Sequence, residues 1–216
     1  MKMTIRNLLV FISVFLLLMS TVSHASMWII AGGNDRFFQD GPSEGELVVA
    51  GDSYAQGFYE DEKDRGMYLI PYFQEGYTIE ENENKLQDAF YSIHKYILFS
   101  ISVNDHRHNT HPSYFEDEYR RMIALSILTS KTVFVHSYML YDWAASTQFS
   151  FTPYDYDNMV RKIAADYDNI YYIDMTDCIG VEYIKEDGLH YNKKFNDILY
   201  DRIKAKMAEL KAAESK

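Results

Sequence analysis

Cysteine is almost missing from this 216-residue chain, where Cys178 stands alone. No internal disulfide can form, and a Cys-x-x-Cys metal site is excluded. A single thiol of this kind reads as a small core residue rather than a reactive group. Positive charge is scarce too, with 21 Lys and Arg against 32 Asp and Glu and a net charge of −11. Phosphate backbones are bound by clustered Lys and Arg, so nucleic acid is not an expected partner. An acidic balance favours solubility and names no substrate. The sequence also lacks an internal repeat, a low-complexity linker and, beyond its first segment, any long apolar stretch suited to a lid over bulky lipid chains.

What the amino terminus does contain is the layout of a secretory leader. Lys2 and Arg6 give a basic start, Leu8 to Met19 is almost wholly apolar, and Ser23-His24-Ala25 offers small residues where a signal peptidase reads them. The apolar run is short for a membrane span, so cleavage is expected over retention as an anchor. No cysteine near the cut suggests a lipid attachment. The expected organisation is a leader over residues 1–25 and one domain over 26–216, secreted or held in the cell envelope. The mature chain is expected to make no stable membrane insertion. Removing Lys2 and Arg6 leaves 19 basic residues (21 minus 2) against 32 acidic ones, a charge of −13.

After an irregular lead-in from Trp28 to Gly45, apolar runs read as buried strands: Leu47 to Ala50, Met67 to Phe73, Tyr96 to Val103, Thr132 to Tyr138 and Ile170 to Met175. Between them lie segments with helical spacing, Ile79 to His94, Tyr114 to Leu128 and Tyr154 to Tyr167, and Lys194 to Lys211 follows the last strand. Strands without polar alternation, separated by amphipathic helices, predict a parallel sheet covered on both faces. Ligands of such sheets bind beyond the carboxyl ends of the strands.

Reactive residues gather at those ends. The first strand stops in Gly51-Asp52-Ser53, ahead of a segment able to start a helix. The second ends near Gln74-Glu75-Gly76-Tyr77-Thr78, and the third at Asn104-Asp105. Asp187-Gly188-Leu189-His190 comes just before the final helix. A serine needs a base to take its proton, and His190 is suited to that work. A carboxylate on the far ring nitrogen fixes the tautomer, and Asp187 reaches it across one turn. Charge that grows on an attacked carbonyl oxygen must meet fixed donors. Candidates are the Ser53 N–H, the Gly76 N–H and the Asn104 amide. Taken singly, Ser53 reads as a helix cap and Asn104-Asp105 as a loop pair. The ordered set is what points to catalysis.

These blocks, GDSY, a loop glycine, ND and DGLH, resemble in order those of the SGNH hydrolases, also called GDSL esterases, over nearly the whole mature chain. The resemblance implies a three-layer α/β/α sandwich with a flavodoxin-like parallel sheet. It implies Ser53 as nucleophile, His190 as base, Asp187 as its orienting acid, and Ser53, Gly76 and Asn104 as the oxyanion hole. No metal or organic cofactor is implied. Two positions depart from the family pattern. Ser102 stands where glycine is usual, two residues before the asparagine, and Tyr54 stands where leucine is common.

Three further residues are assigned to the substrate: Asp105, His106 and Tyr138. Asp105 has a second reading, that it fixes the loop so that Asn104 points inward. Three histidines fall between His106 and His111, but without helical pairing, and the segment reads as a cleft wall rather than a metal site. Ser137 to Trp143 forms another wall or an ordinary packed loop. The 19 tyrosines suit sugar stacking as well as half-buried structural positions. The expected activity is removal of small acyl groups, acetyl first, from carbohydrate or cell-wall glycan. Lipid, lysophospholipid or thioester hydrolysis, acyl transfer to a sugar hydroxyl, and a binding module that kept the fold are the alternatives. The sequence sets no oligomeric state.

Overall fold

A computed structural model describes residues 46–137 and 150–215. The expected leader, the lead-in and Tyr138 with the segment that follows it lie outside the described residues.

The strands are β1 (Glu46–Gly51), β2 (Tyr68–Phe73), β3 (Tyr96–Ser100), β4 (Thr132–His136) and β5 (Ile170–Ile173). They form one parallel sheet in the order β2-β1-β3-β4-β5. β1 lies between β2 and β3, and Leu47, Val48, Val49 and Ala50 are wholly buried, so apolar side chains point to both faces. Pro71 is tolerated because β2 lies at the edge, where among the described residues no further strand needs its missing N–H.

The helices are α1 (Ser53–Glu62), α2 (Glu83–Tyr91), α3 (Val103–Arg107), α4 (Pro112–Leu128), α5 (Pro153–Ala165) and α6 (Lys193–Glu214). α1 and α6 pack together on one face, while α2, α4 and α5 pack side by side on the other. The result is the three-layer α/β/α arrangement expected from the sequence. The strand order reverses between β1 and β3, which opens a crevice at their carboxyl ends.

One boundary differs in an informative way. The third apolar run was expected to stay extended through Val103, with Asn104 and Asp105 in a loop. β3 instead stops at Ser100, Ser102 takes a φ of 152°, and Val103 begins the short helix α3. Asn104 is therefore carried on a helical turn, not on a loop.

Candidate active site

The turn after β1 is forced by a close approach. Gly51 has a φ of +149°, and a Cβ there would sit 1.8 Å from the Ser100 carbonyl oxygen. Only glycine lets β1 and β3 run this close at the point where the chain must turn. Asp52 follows as the N-cap of α1. Its Oδ1 accepts from the Tyr54 N–H at 2.9 Å, and its Oδ2 accepts from Ser102 N–H at 3.0 Å and Val103 N–H at 3.2 Å. One buried carboxylate thus joins the start of α1 to the turn that carries Asn104. Burial raises its pKa to about 6 against the pull of those three N–H groups. Asn82, also buried, donates from Nδ2 to the Gly51 carbonyl at 2.7 Å and fixes the turn from the α2 side.

Ser53 then occupies the first position of α1. Its Oγ lies 3.0 Å from His190 Nε2, although 137 residues separate them. His190 Nδ1 lies 2.8 Å from Asp187 Oδ2. Asp187 Oδ1 meanwhile accepts from the N–H groups of Leu189 at 2.8 Å and His190 at 2.9 Å. Burial works against the Asp187 anion, but the His190 N–H, the His190 ring and the Leu189 N–H outweigh it and hold the pKa below the ordinary value. An ionised carboxylate on Nδ1 requires the proton there, which leaves Nε2 as acceptor for the Ser53 hydroxyl. The turn is closed by its own backbone. Gly188 adopts a φ of +67°, Lys185 N–H donates to the His190 carbonyl at 2.7 Å, and Ile184 bridges Tyr191.

Asn104 is buried, and its Nδ2 donates to the Tyr77 carbonyl at 3.1 Å. An amide nitrogen carries two hydrogens, so this bond leaves a second donor. The same bond anchors the loop holding Gly76, which is exposed and has a φ of +81°.

The expected substrate contacts of Asp105 and His106 are corrected. Both are 1% exposed. Asp105 turns inward and accepts from the Ile79 N–H at 3.1 Å, and burial lifts its pKa to about 8. Its second reading, as a fixer of the local backbone, is the one that fits. His106 places Nε2 2.9 Å from the Phe151 carbonyl and lies under Tyr156, tying α3 to the approach to α5. His111 serves elsewhere, capping α4 through the Ser113 N–H. Tyr138 lies outside the described residues.

Sequence reasoning missed a second hydroxyl–imidazole pair. Ser100 Oγ lies 2.7 Å from His136 Nε2, and His136 Nδ1 lies 2.9 Å from the Ser137 carbonyl. A carbonyl only accepts, so Nδ1 carries the proton and Nε2 accepts from Ser100. Both residues are buried, and burial pushes the His136 pKa down, keeping the ring neutral. The pair braces β3 against β4. Its signal was a serine and a histidine at the ends of two strands.

Comparison with solved structures bears on the fold. A GDSL-like lipase of Bacteroides thetaiotaomicron superposes with a TM-score of 0.65 and 16% identity, covering 80% of this chain and 92% of that one. The chain has the fold of the GDSL hydrolases. Two further solved structures superpose to a similar degree. An acetyl xylan esterase gives a TM-score of 0.58 at 20% identity, covering 74% of this chain and 98% of that one. A lipase/acylhydrolase of Enterococcus faecalis gives 0.60 at 17% identity, covering 78% and 96%. No protein-family model and no curated sequence matches the chain.

Proposed function

We propose that this protein is an exported serine ester hydrolase that removes small acyl groups, acetyl foremost, from carbohydrate or cell-wall glycan. The observation that carries the reading is the line from Ser53 Oγ through the His190 ring to Asp187, with contacts of 3.0 Å and 2.8 Å. In the first step Nε2 takes the hydroxyl proton while Oγ bonds to the ester carbonyl carbon. The carbonyl oxygen becomes an anion and receives hydrogen bonds from the Ser53 N–H, the free Asn104 amide hydrogen and the Gly76 N–H. The tetrahedral centre collapses, and the alcohol leaves with the proton from His190. Water then gives a proton to His190 and attacks the acyl-serine. The acid departs, and Ser53 recovers its hydrogen.

Support for the sugar ester comes from three sides. An acetyl xylan esterase and a carbohydrate esterase stand among the proteins of like fold. The amino-terminal segment has the make-up of an export leader. Exposed Tyr77 lies on the loop tied to Asn104, where a ring face suits a sugar. The test is a panel of p-nitrophenyl esters and acetylated xylan, run on wild type and Ser53→Ala. Turnover confined to short acyl chains and lost in Ser53→Ala is expected. Preference for long chains would overturn the acetyl–glycan part, and turnover unchanged in Ser53→Ala would overturn the site.

A further inference from the structure

Tyr54 departs from the family pattern and occupies a position of consequence. Its hydroxyl donates to the Leu189 carbonyl at 3.1 Å, across 135 residues of sequence. Its ring meets the His190 ring edge-on, with centroids 6.2 Å apart at 86°. The same ring packs on Tyr191 at 4.6 Å. Tyr191 in turn stacks on Phe195 of α6 at 3.7 Å and 6°. So the residue after Ser53 holds both neighbours of His190 and touches the imidazole itself. Leucine at this place would fill space but would have no donor for the Leu189 carbonyl.

We infer that Tyr54 is a positioning residue, a clamp that sets the distance between the Ser53 hydroxyl and the His190 ring. This rests on the reading of Ser53 and His190 as nucleophile and base. The physical case is one of tolerance. Asp187 fixes the His190 ring relative to its own turn, but every bond it makes is local to that turn. Alignment with Ser53 needs a link between the turn and α1. Tyr54 supplies it from the position next to the nucleophile, so little backbone lies between the link and the atom it places. Misplacement of a reacting group by about 1 Å can cost about a hundredfold in rate.

Tyr54→Phe is the informative variant. It keeps the ring, and so keeps cover over a cavity of about 10 Å³ lined in part by Tyr54, Ser100 and His136. It deletes only the hydroxyl. The control is Tyr200→Phe, which removes another buried phenol, bonded to the Arg65 carbonyl and the Met67 N–H, away from the His190 turn. Two readouts separate the clamp from the activity. One is kcat and KM on p-nitrophenyl acetate. The other is proton NMR of the His190 Nδ1–H, assigned by its loss in His190→Gln, with its solvent exchange rate measured directly.

For Tyr54→Phe the expected result is a fall in kcat of about tenfold with KM within about twofold, intermediate between no effect and full misplacement. Exchange of the Nδ1 proton should quicken by a similar factor. Tyr200→Phe should lower the melting temperature yet leave both readouts near wild type. If no ester is turned over but the proton responds to Tyr54→Phe alone, the clamp stands and the esterase reading fails. If esters are turned over and neither readout changes in Tyr54→Phe, the clamp is overturned. Equal effects from both variants would also overturn it, since general loosening would then account for them.

Discussion

At the scale of single residues, Asp187 serves the His190 turn through three bonds, two from backbone N–H groups to Oδ1 and one from the ring to Oδ2. Asparagine can keep the first two, but its amide then faces Nδ1 as a donor and drives the proton to Nε2. Asp187→Asn should therefore fold normally while kcat on p-nitrophenyl acetate falls about 10³–10⁴-fold. Ser102 is a different case. Its φ of 152° lies in a region that side chains avoid, in a position where glycine would be at ease. Ser102→Gly should raise stability by about 1 kcal/mol in urea unfolding, the relieved strain exceeding the added freedom of the unfolded chain. The approach of Ser53 to His190 and of His190 to Asp187 was legible in sequence because each residue sits beside a turn or strand end with a clear signature. Asp105 and His106 were read as cleft residues because polar side chains after a strand usually face solvent, whereas the turn from Val103 to His106 is buried throughout and both find partners inside.

At the scale of elements, the site is assembled by what links them. Asp52 joins the start of α1 to the start of α3, and both of its oxygens accept from backbone N–H groups. Asp52→Asn must turn an NH₂ toward at least one of those donors. It should cost about 1–3 kcal/mol of stability by denaturant unfolding, as expected when a buried donor loses its acceptor. The extent of each strand was readable from unbroken apolar runs, but the end of β3 was not. Ile101, Ser102 and Val103 look suitable for a strand. Only the fit of two backbone N–H groups to a carboxylate 50 and 51 positions earlier makes them turn.

At the scale of the whole molecule, ionisation adds up across the domain. Burial gives Asp105 a folded pKa of about 8 against an ordinary 3.8, with the neighbouring Asp52 charge adding to the shift. The folded state thus holds a proton that the unfolded chain has released, and stability falls as pH rises between those two values. Asparagine resembles the protonated acid and cannot ionise. Relative to wild type, Asp105→Asn should gain on the order of 3–4 kcal/mol between about pH 5 and about pH 8, measured by urea melts at each pH. The parallel sheet and the covering helices were legible in the sequence, since hydrophobic period and strand length depend on local residues. The inward pull on Asp105 was not, because burial is a property of the assembled layers.

The His190 turn follows the five described strands in chain order, 137 residues after Ser53. A ribosome adding roughly 5–20 residues per second needs roughly 7–27 s to cover that interval. Throughout it, Ser53 is an ordinary alcohol with no base beside it. Under the proposed export, passage through a channel in an extended form would prolong that inert period. Any acyl-cleaving power would then arise only on the far side, once the last segment has docked, and the producing cell's own esters would be spared.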